Sequence, residues 1–172
     1  MNFGLTDEQE MVVNTVRTFV ENEIYPLEKE VEKTGLVPDE IGQDIKNKVL
    51  KLGFFAPNMP EDVGGGGLDN LSFALLEREL GRGSQGLTIF WGRPSNILLA
   101  CNQEQKEEYL FPAIKGEKFD ALAMTEPGAG SYVRGMKCFA KKDGEDFIIN
   151  GTNNFISHAN IADFVIVFID TG

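Results

Sequence analysis

An α+β fold, helical first and β second, is the class this sequence predicts, and three observations predict it. Apolar residues recur at helical spacing up to about residue 118 and then alternate or run in short solid blocks. Ser/Thr/Asn residues followed three positions later by Gln stand before two of the helical stretches. Two hairpin dipeptides, Asp143-Gly144 and Asn150-Gly151, lie only in the later part. The expected division is therefore 1–118, an all-helical domain of about five helices, and 119–172, an incomplete antiparallel β domain.

The first helix starts at Thr6, whose hydroxyl can cap a free amide while Gln9 reaches back. Val12, Val16, Phe19, Val20 and Leu27 form one apolar stripe. Pro26 donates no amide hydrogen bond, which predicts a kink over 22–25. A second helix begins near Pro38, carries Ile41, Ile45, Val49 and Leu52, and stops at Gly53. The segment 56–70, with Pro57, Pro60 and Gly64 to Gly67, reads as a loop. A phosphate cradle is the functional alternative, although Leu68 and Asp69 follow the run where a P-loop has Lys and Ser. Leu71, Ala74, Leu75, Leu76 and Leu80 predict a largely enclosed third helix ended by Gly81. Gly92, Arg93 and Pro94 break the apolar stretch 87–100, and Asn102 with Gln105 caps a short fifth helix through Leu110.

In the second part, antiparallel strands are expected around 134–142, 146–149 and 152–157. The run Phe164 to Ile169 is a strand buried on both faces or carried into a sheet interior. The chain stops at Thr171-Gly172 with no returning strand, which predicts a piece of something longer with an apolar strand near an open edge.

Composition excludes several functions. Asp and Glu number 27 against 16 Lys and Arg, a formal charge of -11, which opposes attraction to nucleic acid or anionic lipid. Most of that charge, -8, lies in residues 1–118 as helical surface. No apolar run approaches the ~20 residues of a membrane span. The first ten residues lack a secretory pattern, and Cys101 and Cys138 lack metal-like spacing, so a cytoplasmic setting and no metal are expected. His158 is the single histidine. It rules out HExxH chemistry and reads as a surface or capping residue, and no GxSxG elbow is present to make a triad with it.

One segment stands out. MTEPGAGSYVRG, 124–135, follows the apolar strand 121–124 and gathers Thr125, Glu126, Gly128, Gly130 and Ser131. Small residues let a ligand approach the backbone, and exposed amides and hydroxyls can bond acceptors on a ring or phosphate. A glycine-rich strand connection remains the alternative. A dinucleotide fingerprint is rejected, because Val133 occupies the third glycine position and no helical pattern follows.

TEPGAGS at 125–131 and NGTNNFIS at 150–157 resemble the flavin-dependent acyl-CoA dehydrogenases. LTDEQ at 5–9, PEDVGGGG at 60–67, ELGR at 79–82 and QEQKEEYLFPAIKGE at 103–117 stand in the same order, so the resemblance covers essentially the whole chain. It implies an FAD cofactor and an acyl-CoA thioester that enters between the β domain and the helices. It further implies oxidation of the α–β C–C bond by a glutamate base and hydride transfer to the flavin, an electron-transfer acceptor, and a homo-oligomer. Carried over by residue, Leu122, Ala123, Met124, Thr125, Glu126, Pro127, Gly128, Ala129, Gly130 and Ser131 form one flavin segment, with Ser131 also near the thioester. Phe155, Ile156 and Ser157 form the other, the aromatic ring covering one flavin face and the hydroxyl bonding the N5 edge. Tyr132 and Asn153 depart from the family's Asp and Lys. If those two pair in relatives, losing both avoids a buried unpaired charge.

The resemblance places the rest of the β domain, a C-terminal helical bundle, the subunit contacts and the base beyond residue 172, so no catalytic residue is assigned here and the chain alone is expected to be inactive. The other class of function is a non-catalytic assembly or interaction module that keeps the fold. Flavin colour in the purified chain separates the two.

Overall fold

Thr6 opens the first helix with its hydroxyl accepting the Gln9 amide at 3.2 Å, while the Gln9 side chain accepts the Thr6 amide at 3.1 Å. The computed structural model describes residues 4–172 and divides the chain into two units, residues up to Gly116 and Glu117–Gly172. In the first unit α1 (Asp7–Phe19) passes through a wide π turn, Val20–Ile24, into α2 (Tyr25–Thr34). Pro26 sits at the start of α2, so the missing amide bond is absorbed by the wider turn, where the kink is expected. The same device recurs unannounced by the sequence reading. α6 (Gln103–Gln105), capped by Asn102, runs through a π turn, Lys106–Leu110, into α7 (Phe111–Ile114), which has Pro112 in its first turn.

Between these lie α3 (Asp39–Leu52), α4 (Asn70–Leu80) and the short α5 (Gln85–Thr88), followed by 3₁₀ turns at Ile89–Trp91 and Asn96–Ala100. Gly35 and Gly53 close α2 and α3 in left-handed backbone, at φ 69° and 74°. Gly81 ends α4 at φ -65° without that turn. The core is built from the predicted stripe, with Val12, Val16, Phe19 and Val20 buried against Ile45, Val49, Leu76 and Trp91. Leu71, 54% exposed, and exposed Ala74 face water, so α4 keeps a wet side that its composition conceals, and Leu52 at the end of α3 is 44% exposed.

The glycine run is structural. The amides of Gly64, Gly65, Gly66, Gly67 and Leu68 donate to the carbonyls of Glu61, Pro60, Ala56, Met59 and Pro57 at 2.8–3.0 Å, which leaves none for a phosphate. A Cβ on Gly65 would fall 2.3 Å from the backbone oxygen and Cβ of buried Met59, so only glycine fits that close approach.

Glu79, 2% exposed, ties α4 to α1. Arg17 donates from Nε and Nη2 at 3.0 and 3.1 Å, and Arg78 donates to Oε1 from Nε and Nη2 at 3.0 and 2.7 Å. The Arg17 hydrogen bonds, opposed by burial and aided by Arg78, hold the Glu79 carboxyl below the ordinary carboxylate range. A depressed folded-state pKa gives stability that is present above the unfolded value and lost as pH falls through the folded one. Glu79→Gln is expected to cost about 2–3 kcal/mol at neutral pH, since the arginines it strands stay hydrated. In urea titrations the gap between wild type and variant should close as pH drops below the carboxylate range, and a pH-independent gap contradicts the ion-pair account.

In the second unit β2 (Phe139–Asp143) and β3 (Asp146–Asn150) form the antiparallel hairpin, with Asp143 opposite Asp146. The two turn residues are therefore Gly144, at φ 63°, and Glu145, one position later than the dipeptide Asp143-Gly144 suggests. The β character expected from residue 134 begins only at Phe139, because 133–135 is a 3₁₀ turn. β1 (Asp120–Ala123) and β4 (Phe164–Val167) pair in parallel, Ala121 opposite Val165. This parallel pair departs from the antiparallel expectation. Hairpin dipeptides report only on adjacent strands, whereas β1 and β4 are separated by a connection long enough for a parallel crossover.

The third strand expected at 152–157 does not form. Gly151, at φ 154°, presses against Cys138 and continues the chain without a hairpin turn, and the following residues leave the ladder. β4 is not buried on both faces either, for Val165 and Val167 are 44% and 42% exposed. Past β4 the Ala140 amide donates to the Asp170 carbonyl at 2.8 Å and the Asp170 amide to the Cys138 carbonyl at 2.9 Å, so residue 170 takes the free edge of β2.

Candidate functional site

The loop after β1 is fixed by its own glutamate. Glu126 is 7% exposed, and its two carboxylate oxygens accept the amides of Lys137 and Cys138, each at 2.7 Å. Its backbone exchanges hydrogen bonds with Ala129 at 2.9 and 3.2 Å, closing a tight turn over Pro127 and Gly128. The carboxylate thus holds the loop instead of facing outward. Sequence reasoning grouped it with the ligand-facing residues, because only tertiary contact reveals two amides converging on it.

Within this clamp the loop surface is open. Gly128, Gly130 and Ser131 are exposed, and a Cβ on either glycine would meet no atom within 4 Å. Leu122, 38% exposed, and buried Ala123 lie on β1, and Met124 and Thr125, half-buried, lead off it.

The second segment meets the first through one atom. The Thr125 carbonyl accepts the Asn154 amide at 2.9 Å and the Asn153 Nδ2 at 3.4 Å. Asn153, where the resemblance expects Lys, therefore serves the Thr125 carbonyl, while the ring of Tyr132, 70% exposed, lies against Gly135; the two have separate neighbours. Asn154 also carries a buried side-chain oxygen without a hydrogen-bond partner.

Phe155 follows, and it is unusual twice over. Its backbone is left-handed, φ 56°, in a residue that gains nothing locally from that conformation, and its ring is 89% exposed. Each of these is unfavourable, the backbone by roughly 1 kcal/mol and the bare ring by the lost burial. Strain and an exposed aromatic ring thus coincide on one residue, whose face is free for contact. Half-buried Ile156 and exposed Ser157 complete the segment.

The residues suit a flat aromatic ligand. Phe155 offers an apolar face, and Ser131 and Ser157 offer hydroxyls at the surface. Among the described residues no group of three or more His, Cys, Asp or Glu could hold a metal ion, and no helix is long and apolar enough to cross a membrane.

Comparison with known proteins shows the family. The acyl-CoA dehydrogenase N-terminal domain family matches residues 6–117, and the acyl-CoA dehydrogenase middle domain family matches residues 121–172. A 3-(aryl)acrylate reductase of Clostridium sporogenes is 39% identical over 96% of this chain and 44% of its own length. The caffeyl-CoA reductase-Etf complex subunit CarC of Acetobacterium woodii is 34% identical over 96% and 44%. The crystal structure of a glutaryl-CoA dehydrogenase from Mycobacterium smegmatis in complex with FADH2 superposes with a TM-score of 0.83 at 28% identity, covering 97% of this chain and 43% of that one. The chain spans less than half the length of these relatives. With both domain families matched in order over nearly all of its residues, the chain belongs to the acyl-CoA dehydrogenase family.

Proposed function

We propose that this chain is the N-terminal part of an FAD-dependent acyl-CoA dehydrogenase, with 1–118 as its helical domain and 119–172 as the start of its flavin-facing β domain. The observation that carries the reading is the Thr125 carbonyl, which binds together two segments distant in sequence and leaves exposed, left-handed Phe155 beside them. Bound FAD would accept the hydride lost from the β carbon of an acyl-CoA thioester. The chain's own residues bind and orient: Phe155 covers one ring face, Ser157 and the loop 124–131 offer hydrogen bonds at the ring edge, and Ser131 stands toward the thioester. Glu126 keeps that loop in shape. The base lies outside residues 1–172, and electrons are exchanged with an electron-transferring flavoprotein, a partner in keeping with the Etf complex in the name of the Acetobacterium relative.

The first relative named above supports a second direction for the same chemistry. It is called a 3-(aryl)acrylate reductase, so reduction of an α,β double bond conjugated to an aromatic ring is the alternative. In the complete protein, dye reduction by saturated acyl-CoA indicates the first direction, and oxidation of a reduced dye by an aryl acrylate or its CoA thioester indicates the second.

Phe155→Ala tests the flavin face. Ring stacking contributes about 0.5–1.5 kcal/mol beyond burial, so FAD affinity in the complete protein should fall by up to about tenfold, with an altered flavin spectrum. Unchanged affinity and spectrum would remove Phe155 from the site.

A further inference from the structure

We propose that His158 is a positioning residue for the flavin edge, its ring fixing the Ile156-Ser157 step that presents the Ser157 hydroxyl. The proposal rests on the flavin reading above. Phe155 and His158, at φ 56° and 64°, are two of the three non-glycine residues with positive φ among those described, and they bracket Ile156 and Ser157. A segment turned through two such residues keeps its course only if both ends are held.

The near end is held by the Asn154 amide on the Thr125 carbonyl. The far end is held at the start of β1. The His158 imidazole meets the Phe119 ring edge-to-face, with centroids 5.9 Å apart and planes at 89°. Phe119 is itself clamped, its amide donating to Asp163 Oδ2 at 2.7 Å and its carbonyl accepting the Asp163 amide at 2.8 Å. The His158 carbonyl accepts the amides of Ile161 and Ala162 at 2.9 and 3.0 Å, which closes the turn into β4. Ser157 therefore sits between two anchors that flank β1. Thr125 follows the C-terminal end of that strand and Phe119 precedes its N-terminal end.

Histidine is suited to this post. It tolerates left-handed backbone better than most side chains, and it brings an aromatic edge that Asn and Gly lack. His158→Asn and His158→Gly keep the backbone conformation accessible and remove the ring; His158→Phe keeps a ring. In the complete holoprotein, His158→Asn and His158→Gly are expected to weaken FAD binding about fivefold and to shift the flavin absorption bands, while His158→Phe, which keeps the ring but bears the left-handed backbone less well, loses clearly less than either. Lower melting temperatures without a spectral shift would assign His158 a structural role only and overturn the proposal, as would His158→Phe behaving like His158→Asn. Ser157→Ala and Phe155→Ala separate the two levels. If they weaken FAD binding while the His158 variants do not, only this inference fails. If none of the five variants alters FAD, the flavin reading fails with it.

Discussion

Adding FAD, an acyl-CoA series and an artificial electron acceptor to the purified 172-residue chain is expected to give no acceptor reduction above the free-flavin background. Proton removal needs a base within about 3 Å of the substrate proton. Among the described residues the buried carboxylates are Glu79 and Glu126, and both are committed. Arg17 and Arg78 hold Glu79, and the amides of Lys137 and Cys138 hold Glu126. The proposed flavin face is also open to water, with Phe155 89% exposed, so hydrogen bonds made there lack the strengthening of a dry site. The complete protein, assayed in parallel, should turn over. Turnover by the chain itself, abolished on changing one of its own acids, would place the base within residues 1–172 and overturn this part of the proposal.

Trp91→Ala is expected to cost about 4 kcal/mol, the largest effect of any single truncation in the helical unit. Trp91 is fully buried, stands edge-on to Phe19 with ring centroids 4.9 Å apart, and has Phe54 at 6.3 Å. Alanine would leave a void bounded by α1, the π turn that follows it and α3, whose residues Val16, Val20 and Val49 are themselves at 0% exposure and have no slack with which to collapse. Trp91→Phe should cost far less, about 1–2 kcal/mol, because the indole N–H has no hydrogen-bond partner among the described residues and its removal offsets part of the lost packing. Urea unfolding followed by far-ultraviolet circular dichroism measures both. An alanine variant within about 1 kcal/mol of wild type would mean that the core relaxes around the gap.

The sequence by itself determined the helical unit well, because its signals are local. The Thr6 and Asn102 caps, the stop at Gly53, the kink before Pro26 and the apolar stripe on α1 each depend on residues within a turn or two of one another. The motifs at 125–131 and 150–157 and the family they belong to were legible for the same reason, as contiguous runs of residues. What tertiary structure decided were the pairings between distant residues. The parallel partnership of β1 with β4, the edge of β2 taken by Asp170, and the loss of a strand at 152–157 depend on which carbonyl reaches which amide across the fold. The roles of the acids were decided there too. Glu79 and Glu126 look like any other carboxylate in a chain of charge -11, and only folding brings two arginines to one and two backbone amides to the other. Left-handed backbone at Phe155 and His158 belongs to the same class, since phenylalanine disfavours it and histidine merely tolerates it, while contacts at Thr125 and Phe119, outside the segment, hold its two ends.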